Sequence, residues 1–336
     1  MATTGDYRDW AATAVRAQQR WYTRRAGLWK TTGWWQAANA LTALIRYMKY
    51  TGDRSYVHVL GRTFKKAQRE HQYFVNMFYD DSTWWALGWV AAYDLTGERR
   101  YLDAARSIFS NNVGGWDDTC GGGVWWNTRR DYKNAITNEL FLTLAAVLHQ
   151  RTPGDQEYRG WALRSWEWLH GSGMIGSSGL VNDGLTAACV NNGGTTWTYN
   201  QGVILGGLAA LHEITGDQAY LRQGEAIADA VLDKLTDPAG ILVEPCEPSD
   251  CNSDQTQFKG IFIRYLHEFS EPSGKAPAYR EFILANADSV WERARNRRNQ
   301  FGALWGGPFD TADASRQSSA LEVLTAAAAL KNSGPR

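Results

Sequence analysis

Several features that define other protein classes are missing from this 336-residue sequence, and each absence excludes something. Neither sign of charge is in excess, with 35 Lys+Arg against 35 Asp+Glu. A chain of zero net charge lacks the electrostatic footprint of a nucleic-acid or anionic-membrane binder, so neither partner is expected. No run approaches 18 apolar residues, so no membrane-spanning helix is expected. The four cysteines are too few for a disulfide scaffold and form no CxxC pair. The six His form no HExxH pattern, and no metal is expected. Cys120-Gly121-Gly122-Gly123 is glycine-rich but has no Gly-Lys-Ser/Thr ending and no preceding strand, so it is not a phosphate loop. No cofactor is expected. A Gly-x-Ser-x-Gly elbow is absent, which argues against a serine esterase. With no Pro/Ser-rich linker, residues 1–336 read as a single domain.

Aromatic residues are what the sequence has in quantity: 17 Trp, 15 Tyr and 11 Phe. Trp is rarely fully buried, so part of this load is expected at a surface that binds something. Sugar rings suit flat aromatic faces well. Cys246 and Cys251, five apart in a polar loop, are expected to close a small disulfide ring, and Cys120 with Cys189 are candidates for a second bridge. Disulfides belong to oxidising compartments. Met1-Ala2-Thr3-Thr4-Gly5-Asp6 is polar with no apolar leader segment behind it. We therefore expect a secreted, extracellular protein whose leader is absent from this sequence.

A turn phrase recurs along the chain. Thr51-Gly52-Asp53, Thr96-Gly97-Glu98 and Thr215-Gly216-Asp217 are each followed by a Tyr, at 56, 101 and 220. Thr152-Pro153-Gly154-Asp155 with Tyr158 is a looser copy, and Pro272-Ser273-Gly274 with Tyr279 a faint one. The Tyr spacings of 45, 57, 62 and 59 residues fit an array of helical hairpins. Gly ends one helix and the following acid starts the next. Helical periodicity then predicts helices over 6–25, 36–50, 54–73, 83–95, 99–111, 134–150, 156–170, 199–214, 218–235, 258–269, 277–296 and 315–331. Twelve helices in antiparallel pairs, without a strand pattern, predict an all-α protein: an (α/α)6 barrel of six hairpins.

In such a barrel every second connection emerges on one side. The short turns share one face. The longer connections, near 26–35, 74–82, 112–133, 171–198, 236–257 and 297–314, share the other and hold Trp29, Trp34, Trp35, Asp80, Asp81, Trp116, Trp125, Trp126, Asp183, Trp197, Asp250, Trp305 and Asp310. Long loops on a rigid scaffold are where function concentrates. Asp80-Asp81 precedes Ser82-Thr83-Trp84-Trp85. One Asp as a helix N-cap is the plain reading, yet Ser82 or Thr83 can cap in its place, and adjacent acids repel unless something exploits them. Neighbouring Cα atoms lie about 3.8 Å apart, and side chains diverging from them reach the roughly 5–5.5 Å separation of a retaining glycosidase. A helix N-terminus keeps one carboxylate ionised, and that charge raises the pKa of the other so that it serves as an acid. Val181-Asn182-Asp183-Gly184 reads as a turn or as an acid that grips vicinal hydroxyls. Of the adjacent Trp125 and Trp126, one is expected to stack on a sugar and the other to pack inward.

Tyr79-Asp80-Asp81-Ser82-Thr83-Trp84-Trp85, Cys120-Gly121-Gly122-Gly123-Val124-Trp125-Trp126, Lys133-Asn134-Ala135-Ile136-Thr137-Asn138-Glu139 and Trp197-Thr198-Tyr199-Asn200-Gln201-Gly202 together resemble glycoside hydrolase family 76. Gly33-Trp34-Trp35-Gln36, Val181-Asn182-Asp183-Gly184 and Phe258-Lys259-Gly260 extend the resemblance over nearly the whole chain. The family comprises endo-acting α-1,6-mannanases on an (α/α)6 barrel. The resemblance implies that Asp80 is the nucleophile, Asp81 the acid/base with retention of configuration, and Asp183 a contact to the sugar beside the nucleophile. It further implies that Trp34, Trp35, Trp125, Trp126 and Tyr199 line the groove, with Asn134, Asn138, Asn200 and Lys259 offering hydroxyl contacts. The expected partner is α-1,6-mannan or manno-oligosaccharide, bound by a monomer. Three rivals share features. A sugar epimerase needs catalytic His near helix ends, which these loops lack. An unsaturated uronyl hydrolase needs Arg in its cleft, where only Arg129 and Arg130 are loop candidates. An inactive mannan-binding protein fits poorly with an intact acid pair.

Overall fold

The computed structural model describes residues 6–249 and 251–332, so Asp250 lies outside the described residues. Twelve α-helices run among them: α1 (Tyr7–Gln19), α2 (Trp34–Thr51), α3 (Val57–Lys66), α4 (Tyr79–Thr96), α5 (Arg99–Val113), α6 (Ala135–Gln150), α7 (Glu157–Gly171), α8 (Thr198–Thr215), α9 (Gln218–Lys234), α10 (Phe258–Ser270), α11 (Ala276–Arg293) and α12 (Ala314–Asn332). The sequence reading expected no strand, but a small hairpin, β1 (Tyr22–Thr23) against β2 (Leu28–Trp29), follows α1 and ends it early. Helix α3 also stops short, at Lys66, passing into a 3-10 turn over Ala67–Arg69, and Tyr73 and Phe74 beyond it adopt positive φ, 57° and 62°. Helix α4 starts at Tyr79, four residues before its expected start, so Asp80 and Asp81 lie inside its first turn.

The recurrent turn works as its residues predict. Gly52, Gly97 and Gly216 take φ of 77°, 75° and 75°, and their N–H groups return to Met48, Tyr93 and His212 carbonyls. Residues with a Cβ pay strain in that conformation. The preceding Thr hydroxyls donate to Tyr47, Ala92 and Leu211 carbonyls and accept the N–H groups of Asp53, Glu98 and Asp217. Each turn thereby satisfies orphaned helix-end groups on both sides of the reversal.

The chain packs as two compact units, Met1–Glu70 with Lys234–Arg336, and His71–Asp233. In the first, α12 packs against α1, α2, α10 and α11. Its interior holds a charge cluster in which Arg46 and Arg264 both pair with the fully buried Glu322. In the second, α4, α6 and α8 are buried on nearly every side, whereas α5 and α7 bury one stripe each. Helix α6 packs on α4, α7 and α8, with Phe109 and Phe141 stacked at 4.9 Å. In this second unit the connections entering α4, α6 and α8 are long, and those leaving them are tight turns. The N-terminal ends of the three buried helices therefore carry the irregular segments 75–78, 114–134 and 172–197.

Candidate active site

Helix α4 begins with two carboxylates, and neither is its cap. The N-cap is Phe78, which offers no side-chain acceptor. Ser82 and Thr83 donate back to the Phe78 and Tyr79 carbonyls instead of capping. This removes the plain structural explanation for the acid pair, while the positive end of the helix still favours negative charge there.

The two acids have different surroundings. Asp80 accepts on both oxygens: the Asp81 backbone N–H donates to Oδ1 at 2.9 Å and the Trp126 indole N–H to Oδ2 at 3.0 Å. Burial and the charge of Asp81 push Asp80 well above the usual carboxylate range, and these two donors act in the opposite sense. The pair thus resists double ionisation and titrates as a unit. Asp81 accepts at Oδ2 from the Asn76 side-chain amide at 2.7 Å.

Backbone pairing brings Trp126 to this position across 46 residues. Tyr79 N–H donates to the Trp126 carbonyl at 2.9 Å, Trp126 N–H to the Tyr132 carbonyl at 2.7 Å, and Thr128 N–H to the Met77 carbonyl at 3.0 Å. The Phe78 and Trp126 rings lie 4.9 Å apart. The Tyr132 hydroxyl donates to Asp183 Oδ2 at 2.5 Å and accepts from Asn192 at 2.9 Å. Asp183 is also raised by burial, with the Tyr132 bond opposing the rise. Its carbonyl accepts from Ala135 N–H, and Asn134 pairs with Gly184, so the start of α6 holds the Asp183 turn. The acid pair and Asp183 are in this way linked through Trp126 and Tyr132.

The glycine-rich segment is a braced wall. Gly122 and Gly123 lie against Trp168, where an added Cβ would sit 2.8 and 2.5 Å from its ring. Lys133, with its side chain buried, donates to the carbonyls of Thr119 and Gly122 and to Asp117. Asp117 also accepts from the Trp125 indole at 2.7 Å, and these bonds hold its carboxyl well below the usual range. Cys120 and Cys189 form a disulfide that ties this segment to the loop carrying Asn192. Cys246 and Cys251 form the second. Trp125 and Trp126 are both half-buried, so the expected division into one stacked and one inward-packed indole is not what the structure holds. Both N–H groups bind carboxylates.

Other expected contacts are corrected. Asn138 is fully buried, and its amide bonds both backbone atoms of Val124 and the Asn134 carbonyl. Asn134 caps α6 at Thr137 N–H. Lys259 is buried, donating to the Leu242 and Ala303 carbonyls and pairing with Glu247. Asn200 is fully buried with neither amide atom bonded. These four side chains are buried, and those of Asn134, Asn138 and Lys259 are engaged within the protein. Tyr199 is half-exposed at the start of α8. In the other unit Trp34 is nearly buried, while Trp35 is half-exposed with its N–H on Asp254. Sequence reasoning did not single out Asn76, Tyr132 or Asn192, whose partners lie 5, 51 and 60 residues away. Glu139, buried on α6 and raised well above the carboxylate range by burial and the charge of Asp183, was also overlooked. Among the described residues no group of three or more His, Cys, Asp or Glu converges as a metal site would.

Residues 7–336 match the family described as glycosyl hydrolase family 76. The chain is 28% identical over 337 residues to mannan endo-1,6-alpha-mannosidase DCW1 of Saccharomyces cerevisiae, covering 90% of this chain and 73% of that protein. It is 29% identical over 259 residues to the DCW1 protein of Candida albicans, covering 69% of this chain and 57% of the relative. Its fold superposes on an α-1,6-mannanase, GH76A of Salegentibacter sp. HEL1_6, with TM-score 0.87 and 26% identity, covering 96% of this chain and 99% of that one. That structure is an inactive variant with two consecutive aspartates replaced by alanine, in complex with α-1,6-mannotetrose. The likeness bears out the expected all-α (α/α)6 class.

Proposed function

Since the chain belongs to glycosyl hydrolase family 76, we propose that it is a secreted endo-α-1,6-mannanase, a single catalytic domain acting as a monomer by double displacement with retention. The observation that carries this reading is the asymmetry of the adjacent acids. Asp80 accepts two N–H donors, which favour the carboxylate that attack requires, and Asp81 is the group that supplies the proton. The names of the relatives and the mannotetrose in the Salegentibacter mannanase support α-1,6-mannan as substrate. Asp80 attacks the anomeric carbon of an α-mannosyl unit as Asp81 protonates the departing O6. Asp81 then takes a proton from water, which hydrolyses the mannosyl-enzyme. Asp183, oriented by Tyr132, grips sugar hydroxyls beside the nucleophile, and Trp125, Trp126 and Tyr199 offer ring faces. A neutral substrate fits the local cations, since Arg130 is tied to Asp117 and the Gly114 carbonyl, and Arg129 to Asp131. Two disulfides favour an oxidising, extracellular setting. No described helix is long and apolar enough to cross a membrane, and neither a membrane nor a nucleic acid is a partner in this reading.

The test is unbranched α-1,6-mannan incubated with wild type, Asp80→Asn and Asp81→Asn. Product sizes over time separate endo from exo cleavage, and NMR of the first-formed anomer reports retention. Each variant is expected to lose at least about a thousandfold in kcat, within the range that nucleophilic and general-acid groups supply. A variant that keeps more than about a tenth of wild-type turnover, or an inverted product, defeats the assignment.

A further inference from the structure

We infer that Asn76 is the positioning residue of the acid/base carboxyl: it fixes which oxygen of Asp81 carries the proton delivered to the leaving group. The inference rests on Asp81 being the acid/base. Asn76 lies in the segment that enters α4 and is held by two bonds besides the one to Asp81. Its Oδ1 accepts the Phe78 N–H at 2.9 Å, which orients the amide so that Nδ2 faces Asp81. Its own N–H donates to Ser82 Oγ at 3.3 Å, and the Ser82 hydroxyl donates to the Phe78 carbonyl at 3.0 Å. The segment is further pinned by Thr128 N–H on the Met77 carbonyl.

An amide so anchored cannot flip to present its oxygen without losing the Phe78 bond. Asp81 Oδ2 therefore meets a fixed donor and can only accept there, so a proton on Asp81 resides on Oδ1. One of the two carboxyl oxygens is thereby selected, and the direction of proton delivery is set before substrate arrives. After glycosylation the same bond holds the ionised carboxylate in place to receive a proton from water. Asp80 needs no such device, because both its oxygens accept N–H groups. Asn76 acts through Asp81 and has no role in the covalent bond to Asp80.

The experiment compares two substrates that differ in their demand for acid help. Departure of a sugar O6 from mannan requires protonation, whereas an aryl α-mannoside with a 2,4-dinitrophenyl leaving group does not. Asn76→Ala removes the amide. Asn76→Asp keeps the acceptor for Phe78 N–H and, at a pH where it is ionised, puts a repelling charge in place of the donor, so it tests the same contact should the alanine variant fold poorly. For both, kcat on mannan is expected to fall about ten- to a hundredfold, the scale of a misplaced catalytic group, with KM within about threefold. The glycosylation rate of the aryl substrate is expected to stay within about threefold of wild type, with Tm lowered by only a few degrees. Asp81→Asn is the control. If it does not itself separate the two substrates, the acid/base reading has failed. If it does, and Asn76→Asp matches wild type on mannan or loses both substrates equally, Asn76 does not position the proton and the inference is overturned.

Discussion

Replacing Trp126 with Phe removes one N–H donor from the proposed nucleophile while leaving an aromatic ring. The indole donates to Asp80 Oδ2 at 3.0 Å, and the Asp81 N–H donates to Oδ1 at 2.9 Å. A hydrogen bond to a charged group contributes about 1.5–3 kcal/mol. With 1.36 kcal/mol per pKa unit, losing it raises the carboxyl by roughly 1–2 units. The sign follows from the ionised form being the one that accepts both bonds. Burial and Asp81 already push Asp80 up, and removal of an opposing donor pushes it further. Because attack requires the carboxylate, the acidic limb of kcat/KM, which reports the free enzyme, should move up by about 1–2 pH units. The limb belongs to the coupled pair and is measured as one apparent value. The assay is kcat/KM on linear α-1,6-manno-oligosaccharide from about pH 3 to 9 for wild type and Trp126→Phe. An acidic limb that stays in place, with activity lowered evenly at every pH, refutes the claim that this indole sustains the charge on Asp80.

Two further outcomes follow from buried ionisable groups in the same unit. Glu139 is a carboxyl raised well above its ordinary value by burial and by Asp183, so the stability it contributes is full below about pH 4.5 and is lost as pH rises through its folded value; Glu139→Gln is expected to gain Tm relative to wild type between pH 5 and 9, and a Tm difference that does not change with pH contradicts this. Lys133→Met strips Asp117 and the Thr119 and Gly122 carbonyls of their shared donor, and urea unfolding should show a loss of about 1–3 kcal/mol, the cost of leaving those acceptors unpaired while the half-exposed Asp117 keeps Trp125 and Arg130; a loss under about 1 kcal/mol means the ammonium does not brace the wall.

Residue order by itself determined the elements whose causes are local. The Thr-Gly-Asp turns were legible because the bonds that reverse the chain join residues within four positions: Thr51 to Tyr47, Asp53 to Thr51, Gly52 to Met48. Twelve helices, and the long connections that enter α4, α6 and α8, follow from such turns and from apolar periodicity. The adjacency of Asp80 and Asp81 is likewise a property of the chain. Tertiary structure alone decided what those acids can do. Trp126 reaches Asp80, and Tyr132 reaches Asp183, through backbone pairing between segments about 50 residues apart, and no local pattern specifies which donors such pairing will bring together. It also decided which polar residues are unavailable. Asn138 and Lys259 sit in motifs that look poised for a sugar, yet their side chains satisfy backbone carbonyls that the long connections would otherwise bury unpaired. A sequence shows that a side chain can donate a hydrogen bond, and only the packed chain determines whether a backbone group has already taken it.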